Sequence, residues 1–287
     1  MQNWPDISEY PFTSHYFQTG NNRLHYIDEG SGEVILFVHG TPSWSFDYRH
    51  IIRNLKPHYR CIAIDHIGFG QSDKPQHFDY SLDNHVAHLE KFILEKGLDH
   101  INLVVHDFGG PIALKFAILY PQKIHKIIIM NSWMRSSENE PEFKKFKRWF
   151  DNPLTPFLYK YFNFSARFLL PMSFGRKKIT KTILKQYTSA FPTRKQRSGP
   201  LGFFYALLHQ QSWFEEIWEQ RKSISKKPVL LIWGMADPAL QPKLIDSFQE
   251  GFVNIQIVKL EGCGHFPQEE EPVLVTEAIL KFLHSED

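Results

Sequence analysis

The stretch Val104-Val105-His106-Asp107-Phe108-Gly109-Gly110 decides the predicted fold. It begins in an apolar run, 101–106, that has the composition of a strand buried on both faces of a sheet. A helical pattern follows from about Gly110 to Tyr120 and stops at Pro121. A tight turn from a buried strand into a helix exposes its central residue, here Asp107, at the top of the sheet. Aspartate is also a favoured helix N-cap, so this stretch alone leaves both roles open.

Strands alternate with helices on both sides of this turn. We predict strands at 23–28, 33–38, 60–65, 101–106, 124–130, 228–233 and 255–260. Helices are predicted at 45–56, 81–96, 110–120, 243–252 and 272–284, and Ser81 is a candidate N-cap. This repetition indicates a mostly parallel sheet that is covered by helices on both faces.

The alternation is interrupted after the strand at 124–130. The chain there is rich in aromatic and basic residues and lacks a strand of comparable quality until Pro228. We therefore predict a helical cap at 135–226, inserted between two parts of an α/β core at 1–134 and 227–287. An insertion at this point lies over the carboxyl edge of the sheet, where open α/β sheets bind their ligands.

The formal net charge of +2 conceals an asymmetry between the cap and the core. Residues 135–227 contain 19 Lys or Arg and 7 Asp or Glu, whereas the remainder contains 14 and 24. A solvated basic face on the cap is the expected meaning of this pattern. Attraction to an anionic membrane or partner is the alternative, so membrane association is not expected but stays open. We predict no nucleic-acid partner.

The cysteines and the amino terminus favour a reducing compartment. Cys61 and Cys263 lie in or near predicted core segments and offer no disulfide framework. The start, Met-Gln-Asn-Trp-Pro-Asp, has neither the basic region nor the apolar run of a signal peptide. No stretch approaches the roughly 20 apolar residues that span a bilayer. We expect a cytoplasmic protein.

Three further segments follow predicted strands and place reactive groups at the same edge of the sheet. They are His39-Gly40-Thr41-Pro42, Trp233-Gly234-Met235-Ala236-Asp237-Pro238 and Gly262-Cys263-Gly264-His265-Phe266-Pro267. Each alone is equally compatible with an ordinary turn. Together, in the order nucleophile, acid, histidine, they predict a catalytic triad of Asp107, Asp237 and His265. The backbone N–H groups of Thr41 and Phe108 are the predicted oxyanion hole.

The sequence gives less support for a serine nucleophile, a metal site or a dinucleotide-binding site. No Gly-x-Ser-x-Gly motif occurs, so a serine nucleophile is excluded. His85 and His88 lie on one helix face without a supporting set of ligands, so no metal site is predicted. Gly68-Phe69-Gly70 lacks the third glycine of a dinucleotide-binding fingerprint. We predict no cofactor.

Four segments together resemble the haloalkane dehalogenase family. They are His-Gly-Thr-Pro-Ser-Trp-Ser-Phe-Asp-Tyr-Arg (39–49), Asp-His-Ile-Gly-Phe-Gly-Gln-Ser-Asp-Lys-Pro (65–75), Val-Val-His-Asp-Phe-Gly-Gly-Pro (104–111) and Gly-Cys-Gly-His-Phe-Pro-Gln-Glu-Glu (262–270). The resemblance covers nearly the whole chain and implies an α/β-hydrolase fold, with a mostly parallel eight-stranded sheet, helices on both faces and an inserted helical cap. Asn131 stands where another branch of the family has a glutamate, which agrees with Asp237 as the acid.

The resemblance implies hydrolysis of a carbon–halogen bond in a small apolar substrate. An ionised carboxylate attacks saturated carbon without help from a base. Asp107 would form an alkyl-aspartyl ester, which a water activated by His265 would hydrolyse.

The chain departs from the family at the halide site, because Phe108 and Thr41 stand where the family has tryptophan and, in most members, asparagine. Trp44 and Trp149 are candidates to compensate, so the candidate pocket is Thr41, Trp44, Phe108 and Trp149. The sequence leaves a homodimer open.

Three alternatives remain at this point. An epoxide hydrolase uses the same nucleophile together with cap tyrosines, for which Tyr159, Tyr161, Tyr187 and Tyr205 are available. An olefin β-lactone hydrolase also attacks with aspartate, and the aromatic 157–174 stretch would suit its large apolar substrate. The third alternative is a ligand-binding α/β hydrolase without catalytic activity.

Overall fold

The computed structural model describes residues 4–285 and contains one eight-stranded sheet. Its strands are β1 His15–Thr19, β2 Asn22–Glu29, β3 Val34–Val38, β4 Arg60–Ile64, β5 Ile101–His106, β6 Ile124–Met130, β7 Val229–Gly234 and β8 Ile255–Leu260. Their order across the sheet is β1-β2-β4-β3-β5-β6-β7-β8. The pairs β1–β2 and β2–β4 are antiparallel and the others are parallel. This confirms the predicted α/β-hydrolase fold.

The central strands are apolar because the sheet is covered on both faces. Every residue of β5 and β7 is buried, and only the first residue of β3 is partly accessible. The edge strand β1 differs, since it alternates between exposed and buried side chains. Its five residues, His15–Thr19, show no continuous apolar run, and it is the one strand that the sequence did not locate.

Twelve helices accompany the strands within the described residues. They are α1 Arg49–Leu55, α2 Leu82–Glu95, α3 Gly109–Leu119, α4 Pro141–Phe150, α5 Leu154–Phe162, α6 Leu170–Met172, α7 Lys181–Ser189, α8 Ser198–His209, α9 Gln211–Gln220, α10 Leu244–Gly251, α11 Pro267–Glu270 and α12 Pro272–Leu283. The predicted N-cap is confirmed, because the Ser81 side chain accepts a hydrogen bond from the Asn84 N–H at the start of α2.

Six of these helices, α4–α9, lie between β6 and β7. The described chain forms no strand in this segment, in agreement with its helical composition. The proposed division into 1–134, 135–226 and 227–287 stays a prediction, and its terminal residues 1–3 and 286–287 lie outside the described part. Across residues 4–285, none of the helices has the length and apolar character that a membrane span requires.

Candidate active site

Asp107 lies at a sharp turn between β5 and α3. Its backbone has a φ of +50°, the left-handed region that side chains rarely adopt. The turn is held from the segment after β6, because the Asp107 N–H donates to the Asn131 carbonyl at 3.1 Å. The Ser132 hydroxyl also donates to the Asp107 carbonyl at 2.7 Å. The residue is only 7% exposed, and these contacts are typical of a nucleophile elbow.

Two glycines allow the chain to pass closely behind this turn. A Cβ on Gly109 would lie 2.0 Å from the Val38 carbonyl oxygen, and one on Gly110 would lie 1.9 Å from the Ser132 hydroxyl. Both distances are far below van der Waals contact. The Gly-Gly pair is therefore required by the approach of α3 to β3 and to the segment after β6.

The loop after β3 brings a backbone donor to the Asp107 carboxylate. The Thr41 N–H donates to Asp107 Oδ1 at 2.7 Å. Gly40 permits this approach, since a Cβ there would lie 2.2 Å from the same oxygen. The Phe108 N–H, the second predicted donor, makes no hydrogen bond to this carboxylate in the described structure. The structure thus brings one of the two predicted donors into contact with Asp107.

His265 lies between the two carboxylates that were predicted to flank it. Its Nδ1 is 2.7 Å from Asp237 Oδ2, and its Nε2 is 3.6 Å from Asp107 Oδ2. Burial disfavours a charged imidazole, but the charges of Asp237 and Asp107 and their hydrogen bonds outweigh it. Together they raise the pKa of His265 to about 10.

Asn131 holds Asp237 in place. The Asn131 Nδ2 donates to Asp237 Oδ2 at 2.7 Å, and the Gly234 N–H donates to Asn131 Oδ1 at 2.8 Å. The N–H groups of Ala239 and Leu240 donate to Asp237 Oδ1. Burial opposes ionisation, yet His265 and these donors lower the pKa of Asp237 below its ordinary value. The sequence singled out Asn131 only as a position without an acid, and its role as a donor was missed.

The loop that carries His265 is fixed from three directions. The His265 N–H donates to the Ser173 carbonyl at 2.8 Å, and the His265 carbonyl lies 2.8 Å from His106 Nε2. The buried Glu270 accepts from the N–H groups of Gly264 and Gly175. Ser173 and Glu270 were not predicted, because nothing in their local sequence distinguishes them from surface residues.

Phe108 lies between two aromatic rings beside the nucleophile. Its ring stacks on Phe203 of α8 at 4.6 Å and meets the Trp133 ring edge-on at 4.8 Å. All three side chains are buried. Trp133 was not a predicted site residue, and its position three residues after β6 is the signal that could have found it.

The other predicted pocket residues, Thr41, Trp44 and Trp149, lie in different environments. The Thr41 hydroxyl is buried and has no hydrogen-bond partner among residues 4–285. Trp44 packs between the rings of Tyr10 and Phe46. Trp149 is not brought to the site, because its side chain is 69% exposed on α4. The inward face of that helix is taken by Phe143, Phe146 and Phe150.

Metal ligands do not assemble in the described part of the chain: no group of three or more His, Cys, Asp or Glu side chains is placed to hold an ion there. Cys61 and Cys263 are both buried and free.

Comparison with known proteins finds relatives along nearly the whole chain. The family model described as alpha/beta hydrolase fold matches residues 33–272. Haloalkane dehalogenase 2 of Mycobacterium tuberculosis is 32% identical over 279 residues, covering 96% of this chain and 97% of that protein. A cis-3-alkyl-4-alkyloxetan-2-one decarboxylase of Shewanella oneidensis is 30% identical over 285 residues (95% and 89%). Epoxide hydrolase 1 of Caenorhabditis elegans is 30% identical over 298 residues (98% and 72%).

A solved structure extends the similarity to three dimensions. The haloalkane dehalogenase DatA of Agrobacterium tumefaciens is 26% identical, covers 94% of this chain and 95% of its own, and superposes with a TM-score of 0.81. The family model and these relatives span nearly the whole chain. The protein therefore belongs to the α/β-hydrolase fold family and is a haloalkane dehalogenase-like hydrolase.

Proposed function

We propose that this protein hydrolyses the carbon–halogen bond of small apolar haloalkanes, with Asp107 as the nucleophile. The observation that carries the proposal is the arrangement of the two Asp107 oxygens. Oδ1 accepts from the Thr41 N–H at 2.7 Å, whereas Oδ2 faces His265 Nε2 at 3.6 Å. One oxygen is held by the backbone, and the other is left for substrate.

In the first half-reaction, Asp107 Oδ2 attacks the carbon that bears the halogen. The new C–O bond forms as the carbon–halogen bond breaks, and the halide leaves with the bonding electron pair. Oδ1 becomes the carbonyl oxygen of the ester and still faces the Thr41 N–H.

Ester formation itself turns His265 into a base. With a pKa of about 10, the imidazole is protonated near neutral pH while both neighbouring carboxylates are charged. Alkylation neutralises Asp107 and removes one of the two charges that retain the proton. The pKa of His265 then falls and the proton passes to solvent, while Asp237 keeps the ring oriented.

In the second half-reaction, neutral His265 takes a proton from water, which attacks the carbonyl carbon of the ester. The negative charge that develops on Oδ1 is stabilised by the Thr41 N–H. The acyl–oxygen bond then breaks, the alcohol leaves with a proton, and the Asp107 carboxylate is restored. Haloalkane and water thus give alcohol, halide and a proton.

Two unused buried donors support release of a halide despite Phe108. The Thr41 hydroxyl and the Trp44 indole N–H are both buried without a hydrogen-bond partner within residues 4–285. A halide that leaves into an apolar pocket needs such donors, because an unsatisfied buried ion costs on the order of 1–3 kcal/mol or more.

The His265→Gln variant tests this mechanism, since it keeps the nucleophile and removes the base. We expect the variant to react once with a bromoalkane and to accumulate an ester, seen by mass spectrometry as an alkyl adduct on the Asp107 peptide. The matched Asp107→Asn/His265→Gln variant should gain no adduct. An unmodified Asp107 peptide in His265→Gln, after bromide has been released, would rule out the covalent intermediate.

Tyr159 favours epoxide hydrolysis as the second candidate function. It is buried on α5, and burial together with the charge of Asp107 raises its pKa. A buried phenol in the field of the nucleophile is a candidate proton donor for the alkoxide that an opened epoxide ring develops. A panel of a bromoalkane, an epoxide and a β-lactone separates the candidates by bromide, diol and carbon dioxide release. Diol formation faster than bromide release, lost in Tyr159→Phe, would favour the second candidate.

A further inference from the structure

Exposed apolar side chains are concentrated on one part of the helical segment. Of the fifteen large hydrophobic residues that are exposed in the described structure, seven fall within residues 149–172. They are Trp149, Leu154, Phe157, Tyr161, Phe162, Phe168 and Met172, which we call the aromatic face. Isolated exposed hydrophobic residues are common, but a cluster of this size marks an interaction surface.

The aromatic face is continuous along α5. Leu154, Phe157 and Tyr161 recur at the spacing of one helix side. The ring of Phe157 lies 4.7 Å from that of Tyr161 and 5.8 Å from that of Phe162. The opposite side of the same helix carries the buried Tyr159, whose ring lies 5.0 Å from that of Phe204 on α8. The neighbouring Phe203 of α8 stacks on Phe108 beside the nucleophile. The aromatic face is therefore the outer surface of a helix that packs on α8, next to the candidate active site.

Basic residues accompany the aromatic face along the chain. Residues 141–178 contain nine Lys or Arg and two Asp or Glu. On α4 the exposed side chains of Lys145, Arg148 and Trp149 share one side of the helix, at spacings of three and four. Lys144, Lys145, Arg148 and Lys160 form no ion pair with any residue of the range 4–285. Their charge is unneutralised and available to an anionic partner.

We propose that the aromatic face docks on an anionic phospholipid bilayer, with the rings in the interfacial layer and the basic side chains against the headgroups. Tryptophan, phenylalanine and leucine beside lysine and arginine are the composition of helices that lie in this layer. A second copy of the chain fits less well, because pairing this surface with itself brings two strongly basic patches together. Docking places the helix that packs on α8 next to the phase into which small apolar substrates partition.

The contribution of the basic side chains to membrane binding is tested with two variants of equal net charge. Lys145→Glu/Arg148→Glu reverses charges beside the aromatic face. Lys222→Glu/Lys226→Glu reverses two exposed charges just before β7, at the opposite edge of the sheet. The full chain is floated with vesicles of phosphatidylcholine alone or with phosphatidylglycerol added.

We expect the wild type to bind only the anionic vesicles and to be released at about 0.5 M salt. The first variant should lose at least about tenfold in partition coefficient, and the second should behave as the wild type.

The apolar component is tested by Trp149→Ala/Phe157→Ala. This variant should also lose vesicle binding, while its thermal unfolding and bromide release from dissolved bromoalkane stay unchanged. Failure of the wild type to bind anionic vesicles, or an equal loss in the Lys222→Glu/Lys226→Glu control, overturns the proposal. Sedimentation velocity tests the alternative that a second copy of the chain binds to the aromatic face. A dimer that dissociates in Trp149→Ala/Phe157→Ala, without vesicle binding by the wild type, would identify this surface as a self-association interface instead.

Discussion

Because the residue after the nucleophile is Phe108, the hydrogen-bond donor for a departing halide must come from another residue. Its ring is fixed between Trp133 and Phe203, so its weakly positive edge is the only polar feature that it can present. The donor for a departing halide must therefore come from a neighbouring residue. Trp133 is one candidate, because its indole lies edge-on against Phe108.

The Trp133→Phe variant tests this role of a single N–H group. We expect a roughly ten- to hundredfold lower rate of bromide release, because the halide loses a donor that it needs most in the transition state. The rate of adduct formation in the His265→Gln background should fall by the same factor. Trp149→Phe is the matched control and should retain wild-type activity, since its side chain is exposed. An unchanged rate in Trp133→Phe would exclude the indole as the donor.

Residues at the ends of strands could be predicted, and residues that support them could not. Asp107 directly follows β5, and Asp237 and His265 lie three and five residues after the ends of β7 and β8, so the topology brings them to one edge of the sheet. Asn131 touches Asp237 across 106 positions of sequence, and no local pattern encodes such a contact. Trp149 was expected in the pocket, but the helical phase of α4 turns it outward.

At the level of elements, a buried polar network ties α7 to the core. Tyr187 of α7 donates to Asp47 at 2.6 Å and also contacts Glu269 in α11. Arg49 at the start of α1 pairs with the same glutamate through two N–H groups. One hydroxyl proton cannot serve both carboxyl groups. Burial raises the pKa of Glu269, and the neighbouring Arg49 opposes this shift.

The Tyr187→Phe variant removes the shared donor, so that the buried Asp47 Oδ1 loses its hydrogen bond from this hydroxyl while Glu269 keeps Arg49. We expect the free energy of unfolding to fall by about 1–3 kcal/mol, measured by urea denaturation. Tyr205→Phe is the control, because Tyr205 is exposed and its hydroxyl makes no hydrogen bond within residues 4–285. That variant should stay within about 0.5 kcal/mol of the wild type. Equal stabilities for the two variants would show that the network contributes nothing.

At the scale of the whole molecule, the triad makes stability depend on pH. The pKa of His265 is about 10 in the folded state and near 6.5 in the unfolded chain, so folding favours the proton. This stabilisation is complete below about pH 6.5 and is lost as the pH rises to about 10.

Relative to His265→Gln, the wild type should therefore lose up to about 1.4 kcal/mol of stability per pH unit across this window. Thermal unfolding between pH 6 and 10 measures the difference. Asp107→Asn should narrow the pH range over which stability is lost, because it removes one of the two charges that raise the pKa of His265. Parallel pH profiles for the wild type and His265→Gln would contradict the raised pKa.

The fold itself was largely predictable, because parallel strands that are buried on both faces have continuous apolar sequences. β3, β5, β6 and β7 were all located in this way, and the resemblance to a known family implied a mostly parallel eight-stranded sheet. β1 was missed, since an edge strand with one exposed face is short and alternating. The arrangement of α4–α9 could not be predicted, because it depends on which aromatic side chains pack against each other.

The uneven distribution of charge also gives the molecule a permanent electric dipole. Basic residues are concentrated in the helical segment above the candidate site, whereas the rest of the chain carries the acidic excess. The field of a negatively charged surface orients such a molecule as it approaches. The basic end then makes the first contact with the surface. Ionic strength should then act mainly on the rate of arrival and less on the time spent bound. In dilute buffer the same dipole favours transient head-to-tail chains of molecules, which salt disperses.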